Sequence, residues 1–421
     1  MWIEGMKYRG WTHPAALLLV GAAQLSLAAG LDHEPLQPVE GLDFATLLEA
    51  AVQNAPQALE TPVRAQQAAD YVAAGSSLIN GRASIVYNML DDRWRDNRVG
   101  FRQIDMGVAL PLWRPGERSD AKAMGKHYEE QVALWGDYLR WQLAGRLRAA
   151  LNELAAAEAQ LELEREAARA AEAVHDATER LFAAGSLARL DTLQTRTLLL
   201  EQQQRVLDAE ARLVDAERTF QVLTGLNQRP AAPHAETLSS LEDIPETHPV
   251  LSYLRSEVTL AADKVRQSEI EAKGSPEITV GTHTDRADYA SPTFDSVWIS
   301  LSVPIGGKSV VQSRSSGARR EHVDAEVALR EGFIELQRLL HEAEHSLFVT
   351  SQTLPLVEER ATLAEERRQM AERAFEAGEL TLAQALNALQ DAIAARQTLS
   401  DLRLEQQRLT SEYNQLIGVL P

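Results

Sequence analysis

The sequence predicts a mainly α-helical chain with a small β part, built as two internal repeats of one unit. Three observations lead there. Long stretches rich in Ala, Leu, Glu, Gln and Arg carry apolar residues at helical spacing, while aromatics make up only 5% of the 421 residues. Two short regions switch to an alternation of period two. The whole order then recurs at a fixed distance, because Gly378 stands 378 − 185 = 193 positions after Gly185 in matching surroundings.

That offset holds without gaps. Leu181-Phe182-Ala183-Ala184-Gly185-Ser186-Leu187 resembles Ala374-Phe375-Glu376-Ala377-Gly378-Glu379-Leu380. Pro56 meets Pro249, Ile85 meets Ile278, Phe101 meets Phe294, Pro111 meets Pro304 and Gly225 meets Gly418. Chance likeness between two Ala-rich helices would not keep Pro and Gly punctuation, strands and helix ends in one register. The chain therefore divides into residues 1–28, an N-terminal segment 29–42, repeat one at 43–225, a linker at 226–246 and repeat two at 247–421. Pro230, Pro233 and Pro245 break the helical pattern in the linker.

Residues 1–28 read as a secretory signal. Lys7 and Arg9 precede an apolar run from Ala15 to Leu27, and Ser26-Leu27-Ala28 offers small residues for cleavage. The run is too short to span a bilayer, which takes about 20 residues. No Cys follows it, so an N-terminal lipid anchor is not expected. Each repeat then opens with a helical segment, about 43–77 in the first and 250–273 in the second, with Pro56 or Pro249 near its start.

Strand patterning follows. Ile104, Met106, Val108 and Leu110 alternate with Asp105, Gly107 and Ala109, and Val297, Ile299, Leu301 and Val303 alternate with Trp298, Ser300 and Ser302. With the preceding segments these make one hairpin per repeat, at 83–112 and 276–305, so four strands per chain. Pro111 and Pro304 end the strands. A helix of about 100 Å is expected from Gly116 to Gly185, and its counterpart to Gly378, with a kink at Pro355 in the second. Return helices of about 60 Å run to Gly225 and Gly418. An opening helix of about 50 Å and a return helix, placed end to end, match one long helix.

Four strands with one apolar face cannot cross a membrane alone, because their edges would stay unpaired in hydrocarbon. Chains must pool them, and three chains would give a closed barrel of about twelve strands. The competing reading is a soluble sandwich, in which the apolar alternation faces a helix.

Composition excludes other classes. The net charge of −19, with no basic stripe, argues against nucleic acid as a partner. The absence of Cys excludes disulfides and thiol chemistry. One enzyme-like pattern stands out: His341-Glu342-Ala343-Glu344-His345 fits H-E-x-x-H, in which two His on one helix face bind zinc and the Glu acts as base. A metalloprotease reading rests on His341, Glu342 and His345 alone. The first repeat has Arg148 to Asn152 there, and no third ligand is evident, so two surface His on a charged helix is the plainer account.

The duplicated order of helix, hairpin, long helix, Gly-bearing turn and return helix resembles the TolC-like outer-membrane factor (outer membrane efflux protein) family. Ala55-Pro56, Pro111-Leu112, Pro304-Ile305, Phe182-Ala183-Ala184-Gly185, Phe375-Glu376-Ala377-Gly378, Leu223-Thr224-Gly225 and Leu416-Ile417-Gly418 carry the resemblance, over about residues 43–420. It implies a homotrimer in the cell outer membrane of a Gram-negative bacterium, in contact with outer-membrane lipid. Its twelve strands form a transmembrane barrel, and its long antiparallel helices form a second barrel across the periplasm. The implied partners are a periplasmic adaptor (membrane fusion protein) and an inner-membrane transporter, expected to be of the RND type. Neither catalytic residues, nor a cofactor, nor a bound metal is implied. Adaptor docking at the periplasmic tip falls on Gly185, Ser186, Leu187, Gly378, Glu379 and Leu380, and the pore constriction on Asp191 and its counterpart Gln384. The cargo stays open between heavy-metal cations and drugs, with the outer component of a type I protein secretion system as the alternative. A periplasmic adaptor would carry one helical hairpin rather than a duplicated set of hairpins and helices.

Overall fold

The computed structural model describes residues 35–92 and 99–420. The signal segment read at 1–28 lies outside the described residues. In chain order the elements are β1 (Gln37–Val39), α1 (Phe44–Asn54), a 3-10 turn (Pro56–Leu59), α2 (Glu60–Ser76), β2 (Ser84–Asp91), β3 (Arg102–Pro111), α3 (Glu117–Ala183) and α4 (Arg189–Thr224). After the linker strand β4 (Gln228–Pro230) come α5 (Pro249–Ala272), β5 (Glu277–Arg286), β6 (Phe294–Ser302), α6 (Lys308–Arg314), α7 (Ser316–Glu376) and α8 (Leu382–Leu416). The starts of α4 and α8 differ by 382 − 189 = 193 residues, and those of β2 and β5 by 277 − 84 = 193.

The four long strands form one antiparallel sheet in the order β2-β3-β5-β6. Helices follow the same sideways order. α2 and α4 pack on one side of α3, α5 and α8 on its other side, and α7 packs against α5 and α8. Each strand is joined in sequence to the helix of its own position: α2 to β2, β3 to α3, α5 to β5, β6 to α6 and α7. The chain is thus four staves side by side, each a strand running into helix. The 67 residues of α3 span about 100 Å, which the short helices on either side match by pairing end to end. Gly75 and Gly125 let α2 and α3 approach closely; a Cβ at Gly75 would sit 2.9 Å from the Lys122 backbone nitrogen.

Three details depart from the sequence reading. The opening segment of repeat one is not a single helix, because Ala55 before Pro56 is extended (φ −70, ψ 129) and ends α1. In repeat two, residues equivalent to α1 fall in the linker, where Pro245 forbids the helix. The second long helix keeps Pro355 in its interior and is divided from the short helix α6 at Ser315. There the hydroxyls of Ser315 and Ser316 donate to the carbonyl oxygens of Val311 and Ser313, adding side-chain bonds beside the backbone ones.

Two equivalent apolar clusters hold mid-height. Leu143, Leu147, Ala150 and Phe220 pack with α1 in repeat one. Leu336, Leu340, Ala343 and Tyr413, each 193 positions on, pack with Leu251 in repeat two. Across them lies the linker. β4 pairs in parallel with β1, and Glu236 then meets Arg148, a buried cation on the apolar stripe of α3. Arg148 donates twice to Glu236, at 2.7 and 3.0 Å, and to the Val419 carbonyl at 3.0 Å. Asn414 donates to Glu236 and to the Thr237 carbonyl, and Tyr413 donates to the Leu241 carbonyl. The linker therefore straps α4, α3 and α8 together.

Burial alone would raise the Glu236 pKa, but hydrogen bonds from His234, Arg148 and Asn414 and the Arg148 charge outweigh it and hold the carboxyl at about 2. A depressed carboxylate stabilises the fold above its unfolded value near 4.5 and loses that contribution as pH falls towards 2. The difference corresponds to roughly 3 kcal/mol. Acid titration of thermal stability should show this loss between pH 4.5 and 2 in the native chain and a flatter profile in Glu236→Gln. Burial also lowers His248 to about 4, so its contribution fades in a separate window, from about pH 6.5 to 4. Arg148→Ala, which strands a buried carboxylate, should cost about 3–5 kcal/mol in denaturant unfolding.

Candidate functional site

The residues singled out in the sequence gather at the end of the helices remote from the sheet. α3 stops at Ala183 because Gly185 takes a left-handed conformation (φ 78), and α7 stops at Glu376 with Gly378 at φ 75. At both turns the glycine amide bonds three residues back, at 2.9 Å. The next amide reaches five back, Ser186 to Leu181 and Glu379 to Ala374. Gly185, Ser186, Gly378 and Glu379 are exposed with open space beside both glycines. Leu187 and Leu380 point inward and share one apolar cluster with Leu181, Phe375, Leu382 and Ala385. The two turns are therefore fastened into one tip.

Asp191 and Gln384 sit at the third position of α4 and α8. Both start their helices. Asp191 Oδ2 accepts from the Ala188 amide at 2.9 Å, which is half of a capping box, since Ala188 has no side-chain acceptor to return the bond. Repeat two completes the box: Gln384 Oε1 accepts from the Thr381 amide at 3.1 Å, and Thr381 Oγ1 accepts from the Gln384 amide at 3.4 Å. Thr381-Leu382-Ala383-Gln384 carries the S/T-x-x-E/Q signal for this in plain sequence. Asp191 is half-buried and Gln384 exposed.

His341 and His345 lie exposed on α7, about mid-helix. Glu342 is held by Arg338, which also binds Glu335 at 2.5 Å. The same Glu-Arg-Glu spacing recurs at Glu365-Arg368-Glu372 and Glu405-Arg408-Glu412, marking a solvated helix face. Among the described residues no three His, Asp or Glu side chains converge to hold a metal.

The sheet has two chemically distinct faces. Ile85, Val108, Val280 and Ile299 line up across all four strands, as do Tyr87, Met106, Thr282 and Val297. The opposite face carries Asn88, Asp105, His283 and Ser296 in one row. β2 and β6 each leave one edge unpaired within the chain. The lateral helices are uncovered in the same way. α3 buries 22 of its 67 residues but α7 only 7 of 61, because α7 has neighbours on one side. Val349, Leu356, Leu363 and Met370 stay exposed at seven-residue intervals on α7, and Leu193, Leu200 and Leu207 do so on α4. These are half-seams of a coiled coil.

Thr381→Ala removes the N-cap hydroxyl of α8 and should cost about 1 kcal/mol. Asp191→Asn keeps an acceptor in place and should cost less than Asp191→Ala, as read by chemical unfolding.

No described helix is long and apolar enough to cross a membrane. Residues 47–226 match the family described as Outer membrane efflux protein. Among curated proteins no sequence relative was found. The fold is that of solved outer-membrane channels. VceC of Vibrio cholerae aligns over 89% of this chain and 95% of its own, at 14% identity and a TM-score of 0.70. CusC, described in terms of folding and transmembrane channel formation, aligns over 89% and 91% at 18% identity and a TM-score of 0.67. The CmeC outer membrane channel of Campylobacter jejuni aligns over 97% and 94% at 12% identity and a TM-score of 0.68. The family match thus covers the first repeat, while the fold shared with these solved channels runs along most of the chain.

Proposed function

We propose that this chain is one of three identical subunits of an outer-membrane channel, the passive exit duct of a tripartite efflux system. One observation carries the reading: both lateral edges are unsatisfied, and in matching ways. An open strand edge and a bare heptad stripe lie on the first stave, and the same pair lies on the fourth. A head-to-tail contact between unlike edges closes into a ring if the rotation allows. Three chains of four strands make the twelve-stranded barrel, with the Ile85 row outward to lipid and the Asp105 row inward to water.

In this reading residues 1–28 direct export and the helices extend into the periplasm. The tip turns at Gly185, Ser186 and Leu187 and at Gly378, Glu379 and Leu380 receive a periplasmic adaptor. Asp191 and Gln384, which fix the first turn of each return helix, set the width of the closed pore. An inner-membrane transporter of the RND type supplies the energy and the cargo, metal cations or drugs.

The repeat gives the register between subunits. Within the chain, β3 pairs with β5 so that Met106 faces Thr282, and the two numbers sum to 388. Shifting β3 forward and β5 back by one repeat places Ile299 opposite the partner subunit's Met89. The chain has no cysteine of its own. A Met89→Cys, Ile299→Cys double variant should form disulfide-linked trimers in membranes, while either single variant should not. Cross-linking absent from the pair in folded protein would contradict the ring.

A further inference from the structure

The inward face of the sheet carries an arrangement that a plain water-filled duct does not need. His283 Nδ1 and Asp105 Oδ1 are 2.5 Å apart on neighbouring strands, directly opposite each other. The second Asp105 oxygen accepts from Gln103 Nε2 at 3.2 Å, so the carboxylate is fixed through both of its oxygens. A carboxylate on Nδ1 sets the ring orientation and leaves Nε2 as the free lone pair of the neutral ring. This is how proteins prepare a His to bind a metal. Asp285 lies two residues along β5 from His283, hence on the same face, and its side chain makes no described hydrogen bond.

Charge on that face favours cations. In β2, β3, β5 and β6 it presents Asp105, Glu277 and Asp285 but neither Lys nor Arg. The strand arginines Arg102 and Arg286, which pair across β3 and β5, lie on the opposite face. Both His283 and Asp285 are half-buried rather than covered, and β5 is an interior strand, so no subunit contact hides them.

We propose that His283 Nε2 and the Asp285 carboxylate form a landing site for a hydrated divalent transition-metal cation, one per chain, with Asp105 as the positioning residue. The site rests on the channel reading, which turns this face to the lumen. Two protein ligands leave the remaining positions to water, so the cation exchanges rather than stays, as transit through a pore requires. Three such sites at one height, near the end of the strands remote from the helices, would bias the duct towards metal cations.

The test uses full-length protein in which His341→Ala and His345→Ala remove the helical His pair. Calorimetric titration with Zn2+ should give one ion per chain. His283→Gln and Asp285→Asn should each weaken it at least tenfold, and Asp105→Asn about 10–100-fold. Asp295→Asn, on the outer face, should leave it unchanged. In planar bilayers Zn2+ should reduce the single-channel current of the background protein but not of His283→Gln. Equal Zn2+ affinity in the background, His283→Gln and Asp285→Asn proteins would overturn the site while leaving the channel intact. Failure to form channels at all would instead overturn the reading beneath it.

Discussion

The constraint on which this structure depends is that backbone polar groups cannot be left unpaired in hydrocarbon. A sheet of four strands with an apolar face and two open edges would violate it alone, and in the proposed channel satisfies it by closure. The helices repeat the same incompleteness in another currency. α3 is covered on both flanks and α7 on one, which leaves the apolar stripe at Val349, Leu356, Leu363 and Met370 for a neighbouring subunit in the proposed ring. Leu386 and Ile393 of α8 already pack beside Ala170 and Val174 of α3 within the chain. Their counterparts Leu193 and Leu200 on α4 are bare.

Much of this was legible in the sequence because it is periodic. The 193-residue offset located both turns, and period-two alternation found β3 and β6, with β2 and β5 read as the segments that precede them in each hairpin. Seven-residue spacing was present too, but only burial separates a seam filled within the chain from one left open. The break at Ser315 and the separation of α1 from α2 were harder to read. Each turns on local hydrogen bonding or a pre-proline conformation that hydrophobic periodicity does not report. The strap was hidden for a different reason. Arg148 among Leu143, Leu147 and Leu151 was a charge on an apolar stripe, yet its partner Glu236 lies 88 positions away in a segment without regular pattern.

The glycines marked both helix-ending turns in the sequence, while the capping bonds of Asp191 and Gln384 were not read there. Their visible work is to cap α4 and α8, and a role in the pore would come on top of that. Moving either side chain out of its cap would release a backbone donor at the start of its helix. The asymmetry between Ala188 and Thr381 makes α4 the less firmly started of the two.

The central claim is that the four staves are a third of a closed ring. Native mass spectrometry of the protein extracted from membranes tests it most directly. The account predicts a single assembly of three mature chains, each somewhat below the 46.5 kDa of the full sequence. A folded monomer as the dominant species would contradict it.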